Sequence, residues 1–164
     1  MANLVLTYQK QGQWNEAEEL KVLVTETMKW VLGEEHPHSL TCMANLALTY
    51  WDQGQWQEAK ELGVLVMETR KQVFGEEHPD LLTSMSNLAL MYWHQGWLQE
   101  AKELGVLVMK RRKRVLGKEH PHLLLSMANM VSMYWSQGWW QAAEELDVLM
   151  ETGKWVPTED QPDS

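Results

Sequence analysis

Apolar residues recur along the chain at the spacing of amphipathic helices. In one stretch, Leu46, Ala47, Tyr50 and Trp51 fall on a single helical stripe that ends before a Gln-Gly pair. A second helix is predicted over roughly 55–74. Its apolar stripe consists of Trp56, Ala59, Leu62, Val66 and Val73. No segment alternates apolar and polar residues as a half-buried β-strand does, so we predict an all-α fold.

This pair of helices is repeated four times with a period of 42 residues. The tetrad Met-Ala-Asn-Leu at Met1 returns, with small changes, at Met43, Met85 and Met127. The second and third units are identical at 30 of 42 positions. Stacked units bury a continuous core that no unit can bury alone, whereas a globular four-helix bundle would not need such a period. We therefore predict an α-solenoid of four helix-turn-helix repeats, with boundaries at 1–42, 43–84, 85–126 and 127–164.

The spacing of Ala47, Tyr50, Gly54, Trp56 and Ala59 resembles the tetratricopeptide repeat signature. The 42-residue length and the Gly-Glu-Glu-His-Pro connection resemble the kinesin light chain-like subclass. The near-identical copies resemble the arrays at the C-termini of fungal NOD-like receptors. The resemblance covers essentially the whole chain. It implies a right-handed TPR-like solenoid and a binding scaffold rather than one particular partner.

We expect one solenoid domain over 1–156, followed by a disordered tail over 157–164. In the connections, proline stops the preceding helix, and we expect Asp80 to cap the helix that follows. One residue is missing from the repeat near Met150, which rotates the rest of that helix by about 100°. We therefore expect the last helix to fray or to end early.

The resemblance implies that the first helix of each unit, helix A, lines a concave face that binds partners. The Asn at the third position of each unit offers a donor and an acceptor to the backbone of an extended peptide. Alternatively, these amides bond the helix backbone or each other. The Trp at the ninth position is either a binding anchor or part of the interhelix packing. The candidate peptide-binding residues are Asn45, Leu48, Trp51, Asp52, Asn87, Leu90, Trp93, His94, Asn129 and Trp135.

Ten tryptophans are unusual for 164 residues, but the repeat accounts for most of them. Trp14 and Trp56 occupy one predicted core position, and the ninth position accounts for three more. Trp97 and Trp139 instead replace a polar residue at the start of the second helix, helix B. We expect both indoles to be exposed and to serve self-association or a partner.

Glycine stands at a helix B position that often holds Tyr or Phe in the family, at Gly63 and Gly105. An interior helical Gly costs about 1 kcal/mol relative to Ala. It therefore either permits close helix contact or marks a local weakness.

Charge and composition narrow the range of partners. The net charge of −9 disfavours nucleic acid, no apolar run is long enough to span a membrane, and no signal peptide is recognisable. The single cysteine, Cys42, fits a reducing compartment, and we expect a cytoplasmic protein. The candidate groove has few cations, which favours an apolar or mildly basic peptide. Kinesin light chain-like arrays, by contrast, are associated with acidic peptides that carry a Trp.

No residue set predicts catalysis, a cofactor or a metal. No nucleophile stands with a base and an orienting group, and no glycine-rich phosphate loop is present. Histidines recur in the connections of successive units, about the width of a helix pair apart, which is too far for them to ligate one metal ion. The basic run over 110–114 could be a nuclear import signal, but cations also complement the end of a helix.

Two functional hypotheses follow, and neither is an enzyme. The first is a scaffold that binds an extended peptide on the helix A face. The second is a structural, self-associating part of a larger array, such as the sensor region of a fungal receptor. The second hypothesis draws on Met1 beginning in phase with the repeat and on the lack of a polar capping helix after the fourth unit.

Overall fold

The computed structural model of the chain describes residues 14–144 and 146. The described residues form a stack of α-helices without a strand, which confirms the predicted all-α solenoid. Helical structure begins again at residue 140. The helices are α1 (Trp14–Leu32), α2 (Pro37–Asp52), α3 (Trp56–Phe74), α4 (Pro79–His94), α5 (Leu98–Leu116) and α6 (Pro121–Ser136).

Two helix lengths alternate along the stack. The B helices α1, α3 and α5 each have 19 residues, and the A helices α2, α4 and α6 each have 16. Each helix packs against the next one in the chain, and α4 also touches α6. Each of the B helices α3 and α5 is thus held between two A helices, the arrangement of a solenoid whose units contact only their neighbours.

The predictions for the last helix near Met150 and for the tail over 157–164 lie outside the described residues. So do the predicted groove positions of the first unit, which precede residue 14.

Histidine, rather than aspartate, caps the A helices. His36, His78 and His120 each accept a hydrogen bond at Nδ1 from the backbone N–H two residues on, at 3.2 Å. The expectation that Asp80 caps α4 is therefore wrong. Pro79 takes the first helical position, so the cap falls on the residue before it, and Asp80 lies in the first turn, where a carboxylate complements the helix dipole.

The predicted helix B stripe is buried at its centre and exposed at its ends. Ala59 and Val66 are buried, but Trp56 and Val73 are not. Trp56 is 48% exposed, so its assignment to the core is wrong. As the first residue of α3, its indole lies at the edge of the unit and packs edge-on against Trp51, with ring centroids 4.5 Å apart.

Buried arginines tie each of two B helices to both flanking A helices. Arg70 is 5% exposed, and its Nη1 donates to Ser84 Oγ at 2.7 Å and to the Asp80 carbonyl at 3.0 Å. Its Nη2 donates to Thr41 Oγ1 at 3.4 Å. Arg112 repeats these contacts one unit later, so the same polar link joins α3 to α2 and α4, and α5 to α4 and α6. Desolvation lowers the pKa of both guanidinium groups.

The basic run over 110–114 is built into the junction between two units. Arg112 is buried, Arg111 Nη2 donates to Glu76 Oε2 at 2.6 Å, and Arg114 pairs with Glu77. The preceding connection thus supplies two carboxylates to the run. This arrangement supports the structural interpretation over a targeting role.

The two interior glycines differ in how closely the next A helix approaches. A Cβ at Gly105 would overlap Met130 Sδ, whereas a Cβ at Gly63 would lie 3.6 Å from Leu88 Cδ1 and Met91 Sδ. Close helix contact is therefore the role of Gly105. At Gly63 a methyl group fits at ordinary contact distance.

Gly105→Ala should lower the free energy of unfolding, because Met130 is buried and overpacking costs about 1–3 kcal/mol. Gly63→Ala is the matched control, and it should be neutral or stabilising by up to about 1 kcal/mol through helix propensity. Urea unfolding of both variants measures the difference. Equal destabilisation of the two variants would contradict this assignment.

Candidate binding face on the A helices

The three A helices carry almost no charge. Asp52 is the only acidic residue of α2, Asp80 is the only one of α4, and α6 has none. None of the three contains Lys or Arg, because the charged residues are concentrated on the B helices and the connections. A partner on the helix A face therefore meets a surface that is nearly neutral over three units.

The amides of Asn45, Asn87 and Asn129 form no hydrogen bond with another residue that the structure describes. Asn45 is exposed, and Asn87 and Asn129 are partly exposed. Their side chains make no hydrogen bond with other described residues, and the Asn45 carbonyl that accepts from Thr49 belongs to the backbone. Within this part of the chain, the alternative in which the amides bond the helix backbone or each other finds no support.

The ninth-position tryptophans pack between helices and still keep accessible surface. Trp51 lies 5.1 Å from the His94 ring of the next unit, in addition to its contact with Trp56. Trp93 Nε1 donates to Ser136 Oγ of the following unit at 3.2 Å. Trp135 packs edge-on against Trp140 and remains 41% exposed. The ninth and tenth positions of adjacent units thus form one continuous ridge.

Two equivalent clefts lie between successive A helices. The first is lined by Leu48 of α2, Gly63 of α3, and Asn87 and Met91 of α4, among nine residues. Each lining residue of the second cleft stands 42 positions later, and each cleft encloses about 20 Å³, which is room for about one water molecule. The corresponding residues of the second cleft are Leu90, Gly105, Asn129 and Met133. The chain therefore presents the same small site twice.

The equivalent position at the first junction holds a lysine. Lys21 stands where the later units have Gly63 and Gly105, and its Nζ donates to Thr49 Oγ1 at 2.6 Å. Thr49 in turn stands where Met91 lines the first cleft. Desolvation lowers the pKa of Lys21, and the Asp52 carboxylate opposes that effect. The sequence places Lys21 at the position of Gly63 and Gly105, but sequence reasoning missed that Thr49 replaces Met91 at the same junction, although both changes are visible in the aligned repeats.

Trp97 and Trp139 have partners inside the solenoid. Lys60 Nζ lies 4.2 Å from the Trp97 ring centroid, and Lys102 Nζ lies 5.1 Å from that of Trp139. Each pair is a cation–π contact between successive B helices. The indoles are still 40% and 37% exposed, as the sequence predicts.

The described part of the chain contains neither a metal-ion site nor a membrane-spanning helix. No group of three His, Cys, Asp or Glu side chains there could hold a metal ion. No described helix is both long and apolar enough to cross a membrane.

Comparison with known sequences identifies the family. The tetratricopeptide repeat model matches residues 1–38, 39–80 and 81–122, so this chain belongs to the tetratricopeptide repeat family. A comparison with curated proteins finds no match.

Solved structures with the same fold include arrays of nearly identical TPR-like repeats. Two come from a Podosopora anserina protein described as a kinesin light chain. One shares 35% identity with a TM-score of 0.80 and covers 95% of this chain and 75% of the other. A point variant of that protein shares 34% identity with a TM-score of 0.79, and the match covers 93% of this chain and 74% of the variant. BtubC (BKLC) from P. vanneervenii shares the fold at 19% identity, with a TM-score of 0.74. The match covers 98% of this chain and 66% of BtubC.

Proposed function

We propose that this protein is a non-catalytic scaffold in the cytoplasm that binds an extended, largely uncharged segment of another protein on its helix A face. Membership of the tetratricopeptide repeat family supports a role in protein–protein interaction. The single cysteine of the chain supports a reducing compartment.

The asparagine amides carry this proposal. Asn87 and Asn129 occupy the same place in successive units, each beside a cleft, and neither amide bonds another described residue. An extended segment has backbone N–H and C=O groups without partners, and an amide matches both. The exposed edges of Trp51 and Trp93 supply apolar area beside these amides at little entropic cost.

The charge of the face selects the partner. A strongly charged segment would lose hydration on this surface and find no opposite charge on the three A helices. The preference expected for this chain is accordingly an apolar or mildly basic segment rather than an acidic one.

Peptides selected from a random library against the chain should bind through this face. Asn87→Ala and Trp93→Ala should each weaken a selected peptide by about 1–2 kcal/mol, through a lost hydrogen bond and lost apolar contact respectively. Leu65→Ala is the control, because Leu65 is an exposed residue of α3 outside the face. Calorimetric titration measures the affinities, and circular dichroism verifies that each variant is folded.

Unchanged affinity in both face variants would exclude the helix A face as the binding site. Weakening in Leu65→Ala alone would place binding on the B helices instead.

Self-association is a second candidate function, and the exposed indoles favour it. Trp97 and Trp139 keep accessible surface despite their lysine contacts. Aromatic surface of this kind is typical of an interface between chains or between arrays.

Light scattering should then show dimers or larger species at micromolar concentration. Replacing Trp97 and Trp139 together by Gln should return the chain to a monomer. Glutamine is the residue that the second unit has at the equivalent place, Gln55. Trp30→Gln is the matched control, because glutamine occupies the same place in the next unit at Gln72. A wild-type chain that stays monomeric at every concentration would rule this candidate out.

A further inference from the structure

We infer that the outer sides of the B helices form a second interaction surface, which binds a basic amphipathic helix of a partner protein. This inference goes beyond the proposed function and does not depend on it, because the surface belongs to the B helices and not to the helix A face.

The B helices α1, α3 and α5 expose the same three residues on successive turns. On α3 these residues are Glu58, Glu61 and Leu65, and all three are exposed. Their spacing of three and then four positions places them along one side of the helix. The same residue types stand 42 positions earlier on α1 and 42 positions later on α5, where they are exposed too. We call these three sets together the outer B face.

The leucines of the outer B face form an exposed apolar row across three units. Leu23, Leu65 and Leu107 are 62%, 49% and 38% exposed, whereas α3 buries Ala59 and Val66 on its other side. A single exposed leucine is ordinary, but apolar surface that recurs in register on three successive helices is typical of an interface.

The glutamates give this row a negative border. None of them forms an ion pair with a residue that the structure describes. Gln57 Nε2 donates to Glu61 Oε1 at 2.6 Å, and Gln99 Nε2 donates to Glu103 Oε1 at 2.8 Å. An uncharged amide therefore positions each of these two carboxylates and leaves its negative charge in place.

The lysines that stand among these glutamates in the sequence are directed toward the next unit. Lys60 Nζ lies 4.2 Å from the ring centroid of Trp97, and Lys102 Nζ lies 5.1 Å from that of Trp139. On α1 the equivalent residue is Glu18, which adds to the negative charge. A partner that brings Lys or Arg to the outer B face therefore meets opposite charge on each of the three helices.

A helical partner matches this face better than an extended one. An extended segment needs partners for its backbone N–H and C=O groups, and the amides of Gln57 and Gln99 already bond carboxylates. A helix brings its backbone groups already paired and carries an apolar stripe beside a row of Lys or Arg. The chemistry that complements the outer B face is therefore a basic amphipathic helix.

The test uses a blocked peptide of Leu, Lys and Ala, about 18 residues long, with its leucines at helical spacing and lysines beside them. Fluorescence anisotropy of the labelled peptide with the full chain measures the dissociation constant. Leu65→Ala with Leu107→Ala should weaken binding about tenfold through lost apolar contact. Glu61→Gln with Glu103→Gln should weaken it about threefold, since an exposed ion pair contributes little, and added salt should reduce this difference.

Three controls separate the outer B face from net charge and from the helix A face. Glu35→Gln with Glu119→Gln removes the same charge from exposed positions in the connections and should leave the affinity unchanged. Asn87→Ala should also leave it unchanged. A scrambled peptide of the same composition should bind about tenfold more weakly, because its leucines no longer share one side of a helix. Circular dichroism verifies that each variant is folded.

Several results would overturn the inference. Equal affinity for the scrambled peptide, or equal weakening by Glu35→Gln with Glu119→Gln, would reduce the interaction to net charge. Binding that is lost only in Asn87→Ala would place the peptide on the helix A face. No binding at millimolar peptide would contradict the inference directly. A chain dimer that Leu65→Ala with Leu107→Ala dissociates without peptide would make a second copy the occupant.

The outcome is separable from that of the proposed function. If the Leu/Lys peptide fails these tests while library-selected peptides depend on Asn87 and Trp93, this inference fails and the helix A face stands. If the Leu/Lys peptide depends on the outer B face while selected peptides ignore Asn87 and Trp93, the proposed function fails and this inference stands.

Discussion

The burial of α3 and α5 between two A helices is the constraint on which this structure depends. A helix B in this position has apolar surface on two sides, and only its own unit and the next one together can cover both. Arg70 shows this dependence directly, since its Nη2 donates to Thr41 on the preceding A helix and its Nη1 donates to Ser84 on the following one. Removing either neighbour would take away part of the hydrogen bonding of this charged group, which is costly.

The junctions of this array are similar but not identical, and their differences occur in matched groups. Where Arg70 meets Ser84, the equivalent residues one unit earlier are Met28 and Cys42, so a polar pair is exchanged for a less polar one. The exchange of glycine and methionine for lysine and threonine follows the same logic at the cleft position. Covering the core is thus common to every junction, while the surface between A helices is free to differ.

The repeat pattern predicted the fold because a 42-residue period with helical spacing has few physical solutions. It also placed the asparagines and ninth-position tryptophans on the A helices. It wrongly assigned Trp56 to the core, because periodicity does not show where along a helix the buried stripe ends. Trp56 lies at that end, where its indole is partly exposed and packs against Trp51. The clefts were not predictable from one unit, since each forms only between two units. The capping by His78 depends on proline fixing the start of the helix.

The most direct test of the account is nuclear magnetic resonance of the side-chain amide groups during titration with a selected peptide. The NH₂ signals of Asn87 and Asn129 should shift together, because these amides are the proposed contacts with the peptide backbone. The NH₂ signals of Gln57 and Gln99 should stay in place, because these amides lie on B helices and already bond carboxylates. Shifts confined to Gln57 and Gln99, with both asparagine signals unchanged, would contradict binding on the helix A face.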